Sequence, residues 1–202
     1  MSYKTQTRVR CKIQEQMGFS LVELLVVLAI ALILTAMAIP MFSGFTTAYR
    51  ARNNADNLAN LANLARMRAA SSFSRVQVFC SNTSLTCYLQ SQAYGASTWT
   101  TDTSQTLTLS NGVSLALPAG VTSGPGGQSG AAPYQGSRSQ TISNSIIFNS
   151  RGMPIANNGT PVTDFALYLQ GPNNSQFAVA VDGSGRPTVF TLSGTSWTVV
   201  TN

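Results

Sequence analysis

Between Leu24 and Tyr49 the chain carries no charged residue. A helix that crosses the hydrocarbon core of a bilayer needs about 20 apolar residues, and this run supplies them. Lys4, Arg8, Arg10 and Lys12 precede it. The positive-inside rule therefore places residues 1–18 in the cytoplasm and the body of the chain outside. A secretory signal peptide is the rival reading. Its apolar core would be about 7–15 residues long, with a small-residue cleavage site after it. Here the run is longer, and Pro40 is followed by Met41 and Phe42. Glu23 stands near the start of the run. A carboxylate at the bilayer centre costs about 2.5–3.5 kcal/mol, so it ordinarily has a partner or a function. The plainer reading is that Glu23 lies at headgroup level and stays wet.

Composition narrows the function classes. Only 9% of the 202 residues are charged, against roughly 25% in ordinary soluble chains. There is no histidine, which removes His-based triads, His metal sites and the usual neutral-pH acid and base. The six acids, Glu15, Glu23, Asp56, Asp102, Asp164 and Asp182, are scattered. No two suggest a carboxylate pair or a calcium loop. An enzyme is therefore not expected, nor any metal or cofactor. The net charge of +6 is shared between two parts of the chain. Residues 1–18 hold four cations and one acid, and the remainder holds eight arginines and five acids. The body is only mildly basic.

Past the apolar run the helix is expected to continue to about Ser72. Leu58, Leu61, Ala62, Ala65, Ala69 and Phe73 recur at three- and four-residue spacing and make one apolar face. Asn53, Asn57, Asn60 and Asn63 lie mainly opposite. This half should pack on a sheet, with Arg50, Arg52, Arg66 and Arg68 as a solvated flank. From Arg75 the period becomes two. Arg75–Cys80 and Thr86–Gln90 read as strands around a turn. Leu107–Leu109 and Val113–Leu117 flank Ser110-Asn111-Gly112, a hairpin signal. Residues 118–141, rich in Gly, Pro and Ser, read as a long loop. Strands are then expected at Ser145–Asn149, Asp164–Gln170, Phe177–Asp182, Thr188–Leu192 and Trp197–Val200. The alternation in Asp164–Gln170 and Phe177–Asp182 predicts strands buried on one face only. The fold class is α+β, a long helix on antiparallel sheet.

Cys80 and Cys87 stand at the two ends of the first hairpin. A disulfide is the expectation in an oxidising compartment. A metal pair or two free thiols are the alternatives, and two soft ligands alone make a poor zinc site.

Gly18-Phe19-Ser20-Leu21-Val22-Glu23, after a basic leader and before the apolar run, resembles the processing site of type IV pilins and type II secretion pseudopilins. The resemblance implies that a prepilin peptidase cuts after Gly18 and that Phe19, the new N-terminus, is N-methylated. It implies that Glu23 pairs with the N-terminal amine of a neighbouring pilin subunit, and that Pro40 kinks the helix. The organisation that follows is a leader at 1–18, a transmembrane and assembly helix at 19–48 in the bacterial inner membrane, and an extracytoplasmic domain at 49–202. Ile146-Ile147-Phe148-Asn149-Ser150-Arg151-Gly152-Met153-Pro154, Phe177–Asp182 and Gly185-Arg186 resemble the GspH/FimT branch. That branch holds minor pseudopilins and minor type IV pilins that initiate or cap filaments. Some FimT proteins bind DNA through a terminal Gly-Arg-x-Arg string. Gly185-Arg186-Pro187-Thr188 keeps only the first arginine. A nucleic-acid partner, with Arg138, Arg151 and Arg186 as contacts, is therefore the second expectation. The first is a structural minor subunit.

Overall fold

The computed structural model of the chain describes residues 20–116, 124–125, 145–162 and 164–200. The helix α1 spans Leu21–Ser71, and ten strands follow: β1 Arg75–Ser81, β2 Thr86–Gln92, β3 Thr100–Thr108, β4 Ser114–Leu115, β5 Ser145–Phe148, β6 Pro154–Ile155, β7 Asp164–Gln170, β8 Gln176–Asp182, β9 Pro187–Ser193 and β10 Ser196–Val199. The fold is the α+β arrangement anticipated, with all described strand pairs antiparallel. The chain divides into two compact units, Met1–Phe42 and Ser43–Asn202. In the first, Pro40 stands inside α1 and does not end it. The predicted loop at 118–141 falls outside the described residues except for Gly124 and Pro125.

Within the second unit, α1 buries Ala51, Ala55, Leu58, Ala62, Ala65 and Ala69. These positions follow one another at intervals of three and four, so they form a single stripe. Apart from Leu58 the stripe is all alanine, so the helix contributes little side-chain bulk to the core. Two five-stranded sheets meet the stripe, in the orders β3-β2-β1-β5-β6 and β10-β9-β8-β7-β4. Val76, Val78, Leu89, Ile146 and Phe148 point inward from the first, and Phe165, Leu167, Leu169, Phe177 and Val179 from the second. Register makes these contacts specific: Val78 lies opposite both Leu89 and Ile146, and Leu167 lies opposite Val179.

Cys80 and Cys87 are directly opposed on β1 and β2 and joined by a disulfide, with both residues fully buried. The bridge closes a short loop, and such a loop stabilises a fold by about 2–3 kcal/mol.

Several expectations are corrected. Phe73 is not on the apolar face; it is exposed and has φ of 50°. The helical period ends at Ser71, and Phe73 takes the left-handed conformation that turns the chain into β1. The Ser110-Asn111-Gly112 turn exists, with Val113 N–H donating to the Ser110 carbonyl at 3.0 Å, but it does not close a hairpin. β3 pairs with β2 in one sheet, and β4 pairs with β7 in the other. Leu109 and Val113, either side of the turn, are both buried in the common core. The buried Asn54 of α1 reaches this crossing, its Oδ1 accepting from Ser110 N–H and Oγ at 3.4 Å each. β7 is buried on both faces, not one. Ala166 and Tyr168 belong to a second, smaller cluster with Ala178 and Phe190, against which Trp197 packs. The alanines leave room for the Tyr168 and Trp197 rings, whose centroids lie 5.6 Å apart. Burial pushes the Tyr168 hydroxyl above its ordinary pKa.

Strand β3 is an edge strand with the sequence TTDTSQTLT. Its polar composition hides it from a hydrophobic pattern, and side-chain pairing fixes it instead. Asp102 is ion-paired with Arg68 in the last turn of α1. Its Oδ1 also accepts from Ser104 Oγ at 2.6 Å and Ser104 N–H at 2.9 Å. The Ser104 hydroxyl first, and Arg68 next, hold the Asp102 carboxyl at about 2, below its ordinary 3.8. A carboxyl depressed on folding contributes stability above its unfolded pKa and loses it as pH falls through the folded one. The melting temperature of wild type should therefore exceed that of Asp102→Asn by a constant margin above about pH 4, and the margin should shrink between about pH 4 and about pH 2. Thermal melts across that range check this. A margin independent of pH would mean that the carboxylate charge is not what holds β3.

Candidate functional site

Two regions carry the residues with chemical potential, one in each unit. In the first unit, the stretch Leu21–Ala38 is long and apolar enough to cross a membrane, and none of it is buried in the fold. Its side chains, from Leu21 and Val22 through Met37, are exposed. Glu23 and Thr35 are polar residues within it, and the Thr35 hydroxyl donates to the Ala31 carbonyl at 2.6 Å. That bond removes the need for an outside partner. Glu23 has no such local partner among the described residues. It lies exposed in the first helical turn, where the positive end of the helix dipole favours an acid. Ser20 immediately precedes the helix, and its carbonyl accepts from Leu24 N–H at 3.2 Å. Gly18 and Phe19 fall outside the described residues.

In the second unit, two turns of the same construction meet. In the first, between β5 and β6, Asn149 Oδ1 accepts from Arg151 N–H at 2.9 Å and Met153 N–H at 3.0 Å. In the second, between β8 and β9, Asp182 Oδ1 accepts from Ser184 N–H, Ser184 Oγ and Arg186 N–H at 2.9, 2.6 and 2.9 Å. Each turn places a glycine three residues after its Asn or Asp, Gly152 at φ 73° and Gly185 at φ 83°. Glycine adopts that conformation without a steric penalty. The glycines are also where the turns touch. A Cβ on Gly185 would stand 2.0 Å from the Gly152 carbonyl oxygen, and one on Gly152 would stand 3.0 Å from Arg66 Cγ. Arg66 of α1 thus lies across both turns. The Ser184 hydroxyl, the turn amides and the nearby Arg66 charge lower the Asp182 pKa.

Arg151 and Arg186 are each the chain neighbour of one of the two touching glycines, and both are exposed. Arg138, the third arginine expected there, falls outside the described residues. Arg66 takes its place, although its sequence position reads as a solvated helix flank. The repeated Asx-x-x-Gly spacing at Asn149–Gly152 and Asp182–Gly185 marks two like turns, but nothing in it points to Arg66. Arg66, Arg151, Asn63, Met67, Ala70 and Gly152 line a cleft of about 520 Å³. Among the described residues, no group of three or more His, Cys, Asp or Glu side chains is placed to hold a metal ion.

Residues 16–39 match the family model described as the prokaryotic N-terminal methylation motif. Two solved structures of the minor pseudopilin EpsH from the type 2 secretion system of Vibrio cholerae are similar to the chain. One is 14% identical with a TM-score of 0.44, covering 73% of this chain and 99% of that one. The other is 12% identical with a TM-score of 0.36, covering 75% and 93%. No curated protein matches the chain.

The glycine contact sets a stability test. Gly185→Ala suffers both a positive φ and an overlap with backbone, whereas Gly95→Ala at φ 80° has nothing within 4 Å of its Cβ. Strain alone costs about 1–3 kcal/mol, and overpacking adds about 1–3 kcal/mol. Denaturant melts of the full chain in detergent should show Gly185→Ala the more destabilised by at least about 1 kcal/mol. Equal losses would mean that the two turns separate without cost.

Proposed function

We propose that this chain is a minor pilin-like subunit of a secretion pseudopilus or a type IV pilus, and that its role is structural. Prepilin peptidase cuts it after Gly18 on the cytoplasmic side of the inner membrane, and Phe19 is methylated. Residues 19–48 anchor it and later pack among other subunits, while residues 49–202 lie outside the membrane. The observation that carries this reading is the match of residues 16–39 to the N-terminal methylation motif. That stretch takes in Gly18, Phe19 and Glu23 together.

The chemistry of Glu23 supports it. Glu23 is an exposed carboxylate on a helix turn whose neighbours Leu21, Val22, Leu24 and Leu25 are also exposed and apolar. In a bilayer such a group costs about 2.5–3.5 kcal/mol if it sits at depth without a partner. Cleavage after Gly18 creates a cation four residues away. In a filament the Glu23 of a neighbouring subunit meets that amine, and each charge offsets the other. A paired buried charge is stable where both partners are present, and removal of one leaves the other uncompensated. The pair therefore favours the polymer over the isolated subunit.

Glu23→Ala should enter the membrane at least as well as wild type, because the costly charge is gone, and should fail to join filaments. Fractionation of membranes and sheared filaments from cells expressing each form measures both quantities. Normal incorporation of Glu23→Ala would remove the pairing role and leave Glu23 as a wet headgroup-level residue.

A further inference from the structure

The corner formed by the two glycine turns has a use that filament anchoring does not require. Two arginines line its cleft, Arg66 from α1 and Arg151 from the β5–β6 turn, and Arg186 follows Gly185 in the β8–β9 turn that touches Gly152 and Arg66. The contact between Gly152 and Gly185 fixes their spacing, since each arginine at the surface is the immediate chain neighbour of one of these glycines. The one carboxylate close by is Asp182, and its Oδ1 already accepts three hydrogen bonds inside its own turn. The salt bridges among the described residues are Arg52–Asp56 and Arg68–Asp102, so neither Arg151 nor Arg186 is neutralised in that way. The positive charge is thus held in place and left in excess.

The shape of the surface says what kind of anion it suits. The cleft is about 520 Å³, and Arg66, Arg151 and the Asn63 amide line it together with the apolar Met67 and Ala70. Met67 is 61% exposed, a large apolar side chain left uncovered beside fixed cations. Methionine and arginine are each enriched in protein–protein interfaces relative to the rest of the surface. Nucleic acid asks for something different: a duplex needs a long row of cations for successive phosphates, and a single strand needs aromatic rings on which bases stack. No aromatic residue lines this cleft among the described residues, and its cations are confined to one corner.

We propose that this corner is a docking surface for an acidic segment of a partner protein. Carboxylates of the segment pair with Arg66, Arg151 and Arg186, and an apolar side chain beside them covers Met67 and Ala70. The site gives the body of the subunit a charge-selective contact of its own, independent of the N-terminal helix and of its processing.

The test uses the full unprocessed chain in non-ionic detergent and fluorescence anisotropy. The probes are a labelled peptide of alternating leucine and glutamate, the same peptide with glutamine for glutamate, and a short labelled DNA duplex. The glutamate peptide should bind, and the glutamine peptide should bind at least about tenfold more weakly. Arg151→Glu lies on an exposed turn and should weaken glutamate-peptide binding by about tenfold with an unchanged melting temperature. Arg186→Glu should do the same. Arg66→Met, which keeps the aliphatic packing over Gly152, serves in place of a charge reversal that disrupts the corner, and it should also weaken binding. Arg50→Glu, away from the corner on α1, should change it by less than about twofold. Equal binding of the two peptides, or equal loss in Arg50→Glu, would overturn the assignment. So would tighter binding of the duplex with a steep salt dependence, which would make the corner a nucleic-acid site.

Discussion

The second unit depends on one contact, the burial of the alanine stripe of α1 against both sheets. Ala51, Ala55, Ala62, Ala65 and Ala69 bring only small side chains to a cluster that both sheets share. The larger residues sit on the other side of the contact, in Val78, Leu89, Phe148, Leu167 and Val179. A small-on-large arrangement of this kind packs without voids and tolerates little change in volume. The sheets do not need to bond to one another along their length, because each is held to the same helix.

The remaining elements are ties back to that helix. Asn54 holds the crossing at Ser110, where the chain leaves one sheet for the other. Arg68 holds the polar edge strand β3 through Asp102. Arg66 holds the paired turns at Gly152 and Gly185. All three are polar residues at the border of the apolar stripe, and each fastens a segment that has little apolar surface of its own. The corner that gathers Arg151 and Arg186 is therefore a product of the packing of α1.

Hydrophobic periodicity made the helix, the apolar stripe and most of the inner strands legible in the sequence, because burial is what that period records. It was blind where burial is not the cause. β3 has Thr and Ser where an inward strand would have Val or Leu, so only its end at Leu107 was visible. The Ser110-Asn111-Gly112 signal gave the turn correctly but not the partner, since a turn type fixes local backbone and leaves the sheet to tertiary packing. Two-sided burial of β7 was hidden because Ala166 is small and Tyr168 reads as an outward polar residue. Arg66 was hidden by its place in a row of arginines. Of the N-terminal site, the order Gly18, Phe19, Glu23 before an apolar run was wholly a matter of sequence, and Gly18 and Phe19 lie outside the described residues.

The two units thus divide the proposed work. The N-terminal stretch offers an exposed apolar surface and one acid to other subunits, and the body offers a rigid, mildly basic surface. The assembly part of this account rests on the chain being a processed pilin-like subunit. Mass spectrometry of the N-terminal peptide of the chain recovered from bacterial membranes tests that most directly. The account predicts an N-methylated Phe19 at the terminus, and an intact leader in Gly18→Ala. A terminus near Met41, as ordinary signal-peptide cleavage would leave, or an unprocessed Met1 in the wild type would contradict it.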